Sequence, residues 1–301
     1  MKIAITGGTG FVGQALTEEL LEHQHEVMIL TRNPDKYDNR SGVTYVKWLS
    51  DGAKPEEELE GIQAFINLAG ESINSGRWTD ERKKRIINSR INSTQEVINI
   101  IKALKEKPTC LINASAIGYY PSSKTNTYTE VSAETADNFL GETVQIWEKE
   151  ASKANQLGIR VAYARFGIIL GKDDGALPRI ALPYKMFVGG TVGPGDQWMS
   201  WVHIKDIARA VHFIAETESI SGPVNVTAPS PVTMKEFGKI LGAVLGRPHW
   251  IPVPSISLKV AMGEMSALVL EGQKVLPSVL SENGFQFEYP ELKSALIDIY
   301  H

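Results

Sequence analysis

A chain of 301 residues is long enough for one large α/β domain and a smaller second region. Its 43% hydrophobic and 22% charged residues are ordinary for a globular protein and exclude the disordered and fibrous classes. A net charge of −4 gives no general field that would attract nucleic acid or anionic membranes, so neither is an expected partner.

In chain order the signals alternate strand and helix, which predicts a parallel sheet covered on both faces. Residues 2–6 read as a strand feeding the glycines Gly7-Gly8, which leaves no room for a cleavable leader. Residues 11–23 carry apolar side chains at helical spacing, and 27–30, 43–48 and 64–68 read as strands two to four. A long helix is expected over 79–105, ended by Pro108; within it the run Glu81-Arg82-Lys83-Lys84-Arg85 reads as a solvated face. The fifth strand, 110–114, holds the only cysteine, Cys110, which rules out a disulfide framework and reads as a small buried hydrophobe. A helix over 140–157, a sixth strand at 160–164 and a last one at 224–226 complete the sheet. No apolar stretch approaches the ~20 residues needed to cross a bilayer, and the expected location is cytoplasmic.

Two stretches rich in Gly and Pro break the alternation. The expected organisation is a dinucleotide-binding Rossmann domain from 1–170 and 201–228, with 171–200 and 229–301 forming a C-terminal, substrate-side lobe that contains two helices. The fold class is α/β, a doubly wound parallel sheet with this smaller lobe.

The turn Gly7-Gly8-Thr9-Gly10-Phe11-Val12-Gly13 follows a strand and opens an amphipathic helix. That context marks a dinucleotide-binding turn, in which backbone approaches a pyrophosphate at a helix N-terminus. At the tip of the second strand stands Thr31-Arg32, with no carboxylate to hold a ribose 2′-hydroxyl. A guanidinium suits a 2′-phosphate, so the expected cofactor is NADP(H), with Lys36 assisting. In the turn Asn67-Leu68-Ala69-Gly70, the small residues Ala69 and Gly70 would let backbone lie close to the adenosine side of the cofactor.

These runs resemble the extended short-chain dehydrogenase/reductases, as do Asn113-Ala114-Ser115 and Trp201-Val202-His203-Ile204-Lys205-Asp206. More narrowly, the chain is similar to the YfcH-like epimerase-family proteins, an atypical group with its own C-terminal domain. The matching runs are Gly76-Arg77-Trp78-Thr79, Ser89-Arg90-Ile91, Ala114-Ser115-Ala116-Ile117-Gly118-Tyr119-Tyr120, Gly195-Asp196-Gln197-Trp198 and Gly272-Gln273-Lys274.

The resemblance implies a Rossmann domain, a nicotinamide cofactor and a catalytic Ser, Tyr and Lys. Ser115 matches the serine. The Tyr-x-x-x-Lys pair should lie on the following helix, but residues 138–147 contain neither. Arg90 replaces a supporting Asn, and Tyr119 and Tyr120 lie four and five residues past Ser115. The candidate catalytic residues are therefore Ser115, Tyr119 as a substitute acid, and Arg90; Arg77 and Trp78 are expected to cover the pocket. His203 reads as a residue that starts a helix, and the six histidines show no paired spacing that predicts a catalytic metal. Two functions fit. One is an NADP(H)-dependent oxidoreductase or epimerase for a small polar, perhaps nucleotide-linked, substrate; the other is an NADPH sensor or interaction protein that has lost catalysis. A homodimer is compatible with either.

Overall fold

The computed structural model describes residues 1–38 and 40–301. Its centre is a seven-stranded, all-parallel sheet: β1 (Lys2–Thr6), β2 (Glu26–Thr31), β3 (Val43–Lys47), β4 (Ala64–Asn67), β5 (Cys110–Ala116), β6 (Arg160–Phe166) and β7 (Gly222–Val226). The spatial order is β3-β2-β1-β4-β5-β6-β7, so the winding reverses between β1 and β4. The register aligns Thr6 with Leu30 on one side and with Asn67 on the other, bringing the carboxyl ends of the central strands level.

The sheet is apolar on both faces because helices cover both. On one face α1 (Phe11–Glu22) packs with the helix Ile204–Glu216 against Ile3, Ile5, Ile29 and Ile112. On the other, α2 (Asp80–Ala103) and α3 (Phe139–Ser152) lie side by side, with Val97, Ile98 and Ile101 of α2 packed against Phe65, Leu111 and Val161. Thr79 caps α2 by accepting a hydrogen bond from the Arg82 amide, and its helical structure ends at Ala103, ahead of Pro108. Cys110 is fully buried among the apolar residues of β5.

The lobe departs from expectation in its helix content. The segment 171–200 contains α4 (Leu177–Lys185), and α5 is the Ile204–Glu216 helix of the core. Beyond residue 229 come α6 (Met234–Leu245), α7 (Ser255–Met262) and α8 (Leu292–Tyr300), besides short turns of helix at Ala267–Leu270 and Ser278–Glu282. Proline punctuates this region rather than dissolving it. Pro248, Pro252 and Pro254 separate α6 from α7, while a capping box at Thr233 and Glu236 starts α6.

Asp206 ties the lobe to the sheet. Its buried carboxylate accepts hydrogen bonds from the amides of Glu288 and Tyr289 at 2.8 and 2.9 Å and from Arg209 at 2.9 Å. His203 caps α5 as expected, its Nδ1 accepting from the Lys205 amide. Burial lowers its pKa to about 4.

Candidate active site

The carboxyl ends of β1, β4 and β5 open into a cleft of about 1010 Å³ that runs from the glycine turn into the lobe. Of the residues expected to hold the cofactor, Gly7, Gly10, Phe11, Val12, Gly13, Leu68 and Gly70 line it. Thr9 and Ala69 stand between lining residues, and Thr31 and the exposed Arg32 follow at the end of β2.

The glycines of the turn serve different ends. Gly7 takes φ +70°, and a Cβ there would sit 2.9 Å from the Leu68 carbonyl; a Cβ on Gly13 would run into the Gly7 carbonyl oxygen. The chain itself needs both. At Gly10, the N-cap of α1, an added Cβ would meet only the Gly7 oxygen, at 3.3 Å. The space in front of Gly10 is otherwise open. The first turn of α1 carries no acidic side chain and no side-chain cap, which leaves its amides and dipole for an anion. A dinucleotide pyrophosphate fits this cradle.

A polar ladder fixes the strand ends beneath the cleft. Thr6 Oγ1 donates to Asn67 Oδ1 at 2.6 Å, and Asn67 Nδ2 donates to Asn113 Oδ1 at 2.6 Å and to Thr94 Oγ1 at 3.1 Å. Trp147 Nε1 donates to the same Thr94 oxygen at 3.1 Å, joining α2 and α3 to the ladder.

Ser115 lies at the cleft but is not free. Its hydroxyl donates to Glu148 Oε1 at 2.6 Å, and Glu148 is held bidentately by Arg165, with both contacts at 2.8 Å. Arg165 Nη1 donates to the Tyr120 hydroxyl at 2.8 Å, which in turn donates to Asn225 Oδ1 at 2.9 Å. All five side chains are buried. Burial alone would lower the Arg165 pKa, but the hydrogen bonds and charge of Glu148 outweigh it and hold it above the ordinary value. Burial raises the Tyr120 pKa against the opposing pull of Arg165.

The two tyrosines separate. Tyr120 lines the cleft; Tyr119 is not among the lining residues, and its ring lies 3.5 Å from the Arg165 guanidinium carbon. Arg90 does line the cleft. Its Nη1 donates to the carbonyls of Glu71 and Ile86, and its guanidinium lies 4.8 Å from the Trp147 ring. Desolvation lowers its pKa to about 10, opposed by Glu71, so it stays a cation at neutral pH. Where a Tyr and a Lys were sought, α3 presents Leu140, Thr143, Val144 and Trp147. Trp78 is buried against Phe139 and donates to the Ile73 carbonyl, while Arg77 reaches the Ala261 carbonyl from the surface.

The lobe end of the cleft is apolar. Ile180, Met234, Phe237, Leu258, Met262, Met265 and Leu268 form it. The lining cations among the described residues are Arg90, bonded to backbone carbonyls, and Arg179, which donates to the Asn74 carbonyl at 3.0 Å. Polar groups interrupt the apolar lining: Ser200, Glu271 and Gln273 also line the cleft, as does Tyr184, whose hydroxyl lies 2.7 Å from His249 Nδ1 and whose pKa burial raises to about 12.

Glu148, Arg165 and Asn225 were missed in the sequence. A signal existed, since Arg165 ends the apolar strand run Val161-Ala162-Tyr163-Ala164, and a buried arginine requires a partner.

Comparison with known proteins agrees with this fold. The chain is 51% identical to the epimerase family protein YfhF of Bacillus subtilis over 98% of its own length and 97% of the relative's. It is 43% identical to the epimerase family protein SAR0825 of Staphylococcus aureus, over 98% and 97%. Among solved structures, human epimerase family protein SDR39U1 with NADPH superposes with a TM-score of 0.86 at 32% identity, covering 99% of both chains. UDP-glucuronic acid 4-epimerase of Bacillus cereus matches at a TM-score of 0.79 but only 17% identity, a likeness of fold alone. A domain of unknown function, DUF1731, matches residues 253–299, within the lobe. With residues 3–227 matched by the family profile, the chain belongs to the NAD dependent epimerase/dehydratase family, whose members bind a nicotinamide cofactor.

Proposed function

We infer that the protein is an NADP(H)-dependent oxidoreductase or epimerase whose substrate carries a carbonyl or carbinol on a largely apolar body. The observation that carries this reading is the continuity of one cleft from the Gly10 cradle, past Ser115, to the apolar lobe. Gly7, Thr9, Gly10, Phe11, Val12 and Gly13 would hold the pyrophosphate, Leu68 to Gly70 the adenosine side, and Thr31 and Arg32 the 2′-phosphate; the NADPH of the human relative supports this choice. Bound there, the cofactor supplies or accepts a hydride at its nicotinamide.

The rest is work for the chain's own residues. Ser115 is committed as a donor to Glu148, so it presents lone pairs to the cleft. To donate to a substrate oxygen its hydroxyl must rotate away, leaving the carboxylate in the grip of Arg165. Arg90, which lines the same cleft, would supply a fixed cation to stabilise negative charge developing on that oxygen. Tyr119 acts as proton donor in this scheme only after its ring leaves Arg165, which makes Tyr119→Phe the critical variant. The apolar lobe residues favour a substrate with an apolar body over the small polar, perhaps nucleotide-linked one expected from the sequence, since Arg90 and Arg179 already bond backbone carbonyls.

NADPH oxidation with carbonyls of graded apolar size, and with nucleotide sugars, tests the reading. Turnover is expected with the apolar compounds; loss of a proton donor in Ser115→Ala or Tyr119→Phe should slow it by roughly 10²–10⁴-fold, and Arg90→Asn tests the cation separately. Turnover of nucleotide sugars alone would contradict the substrate class. A second reading, an NADPH sensor, is favoured by Leu140 and Val144 on the wall where the Tyr and Lys were sought. It prevails if NADPH binds and no carbonyl is reduced.

A further inference from the structure

Histidines far apart in sequence meet at the amino-terminal end of the strands, opposite the cleft. His25 precedes β2, and His212 and Glu216 are i and i+4 on α5, whose last residue is Glu216. His25 Nε2 lies 2.9 Å from His212 Nε2, and Glu216 Oε1 lies 3.6 and 3.4 Å from these two nitrogens. Three ligand atoms bound tetrahedrally to one ion at about 2.0–2.1 Å stand roughly 3.3 Å apart, so the triangle is close to one face of such a site. We propose that His25, His212 and Glu216 bind a divalent transition ion of the Zn²⁺ class, with solvent completing the coordination.

The surroundings suit a cation. Glu19 Oε1 lies 3.1 Å from His212 Nδ1, the carboxylate–histidine arrangement that orients a metal-binding ring. The C-terminal ends of α1 and α5 meet here, and both dipoles place negative potential at the site. His25 and His212 are 9% and 7% exposed, while Glu216, at 53%, leaves a path for the ion. The groups facing the pair are Glu19, His23 and the Met1 amine, which lies 2.8 Å from His25 Nδ1. On binding, the proton between the two Nε2 atoms is displaced, and one proton leaves the His25–Met1 unit for solvent. The ion would pin the end of α1 and the start of β2 to α5, away from the cleft.

The test uses metal-stripped, tag-free full-length protein titrated with Zn²⁺ by calorimetry and with Co²⁺ by visible absorption. One equivalent should bind, with the absorption of tetrahedral Co²⁺ and a higher melting temperature. Glu216→Gln, at a half-exposed position, should keep the fold and weaken binding roughly 10-fold or more, while His212→Asn should abolish it and His23→Asn should leave it unchanged. The proposal is overturned by absence of stoichiometric binding, or by binding that Glu216→Gln does not weaken. Loss of binding in His23→Asn alone would also overturn it, by moving the ion to the neighbouring Glu19, His23 and His212 group.

Discussion

Replacing Glu148 by Gln should be among the most damaging single changes in the protein. Arg165 is 3% exposed and Glu148 8%, and two charge-assisted bonds at 2.8 Å join them. The amide of Gln keeps one acceptor but removes the charge, leaving a buried guanidinium against the Tyr120 hydroxyl and two aromatic rings. Breaking one side of such a pair costs about 3–5 kcal/mol. With a urea slope of about 2–3 kcal/mol/M, the unfolding midpoint should fall by roughly 1–2 M. Arg165→Met should cost a similar amount. The double variant Glu148→Leu/Arg165→Met should recover most of the loss, because no charge is then stranded. Circular dichroism across a urea series measures all four proteins. A Glu148→Gln midpoint within experimental error of wild type, or a double variant as unstable as the two losses added, would refute the reasoning.

Further outcomes follow from the same geometry. Arg32→Ala should weaken NADPH roughly 10- to 100-fold and leave NADH nearly unchanged, as measured by calorimetry with both cofactors; an unchanged preference would place the 2′-phosphate elsewhere. His203, with a pKa of about 4 when folded, takes up its proton later than the unfolded chain does near 6.5. Its contribution to stability is therefore complete above about pH 6.5 and is lost as pH falls toward 4. His203→Asn retains a side-chain cap for α5 and should flatten the loss of stability over that interval; an unaltered slope would assign the acid sensitivity to other groups.

The sequence carried the Rossmann half well, for a physical reason. Strands buried on both faces are continuous apolar runs, and the glycines that β1 requires at its exit are local in sequence. Element ends were less legible: β5 runs two residues past the expected limit, through Ser115 to Ala116, because β6 continues to pair with it. The lobe was under-read, since proline density there marks boundaries between short helices as well as loops. Glu148 and Arg165 were invisible as a pair because they join on neighbouring elements, α3 and β6, rather than along one periodic face. The meeting of His25 and His212, 187 residues apart, depends entirely on α5 packing beside α1.

Fluorescence titration of NADPH into wild type and Gly10→Val addresses the cleft assignment most directly. A Cβ at Gly10 meets only the Gly7 oxygen, at 3.3 Å, and the branched side chain would take up space in front of the α1 N-terminus. Wild type is expected to bind one NADPH per chain, and a folded Gly10→Val protein, verified by circular dichroism, is expected to bind none. Unaltered affinity in the folded variant would mean that the pyrophosphate lies elsewhere, and would contradict the assignment of this cleft to the cofactor.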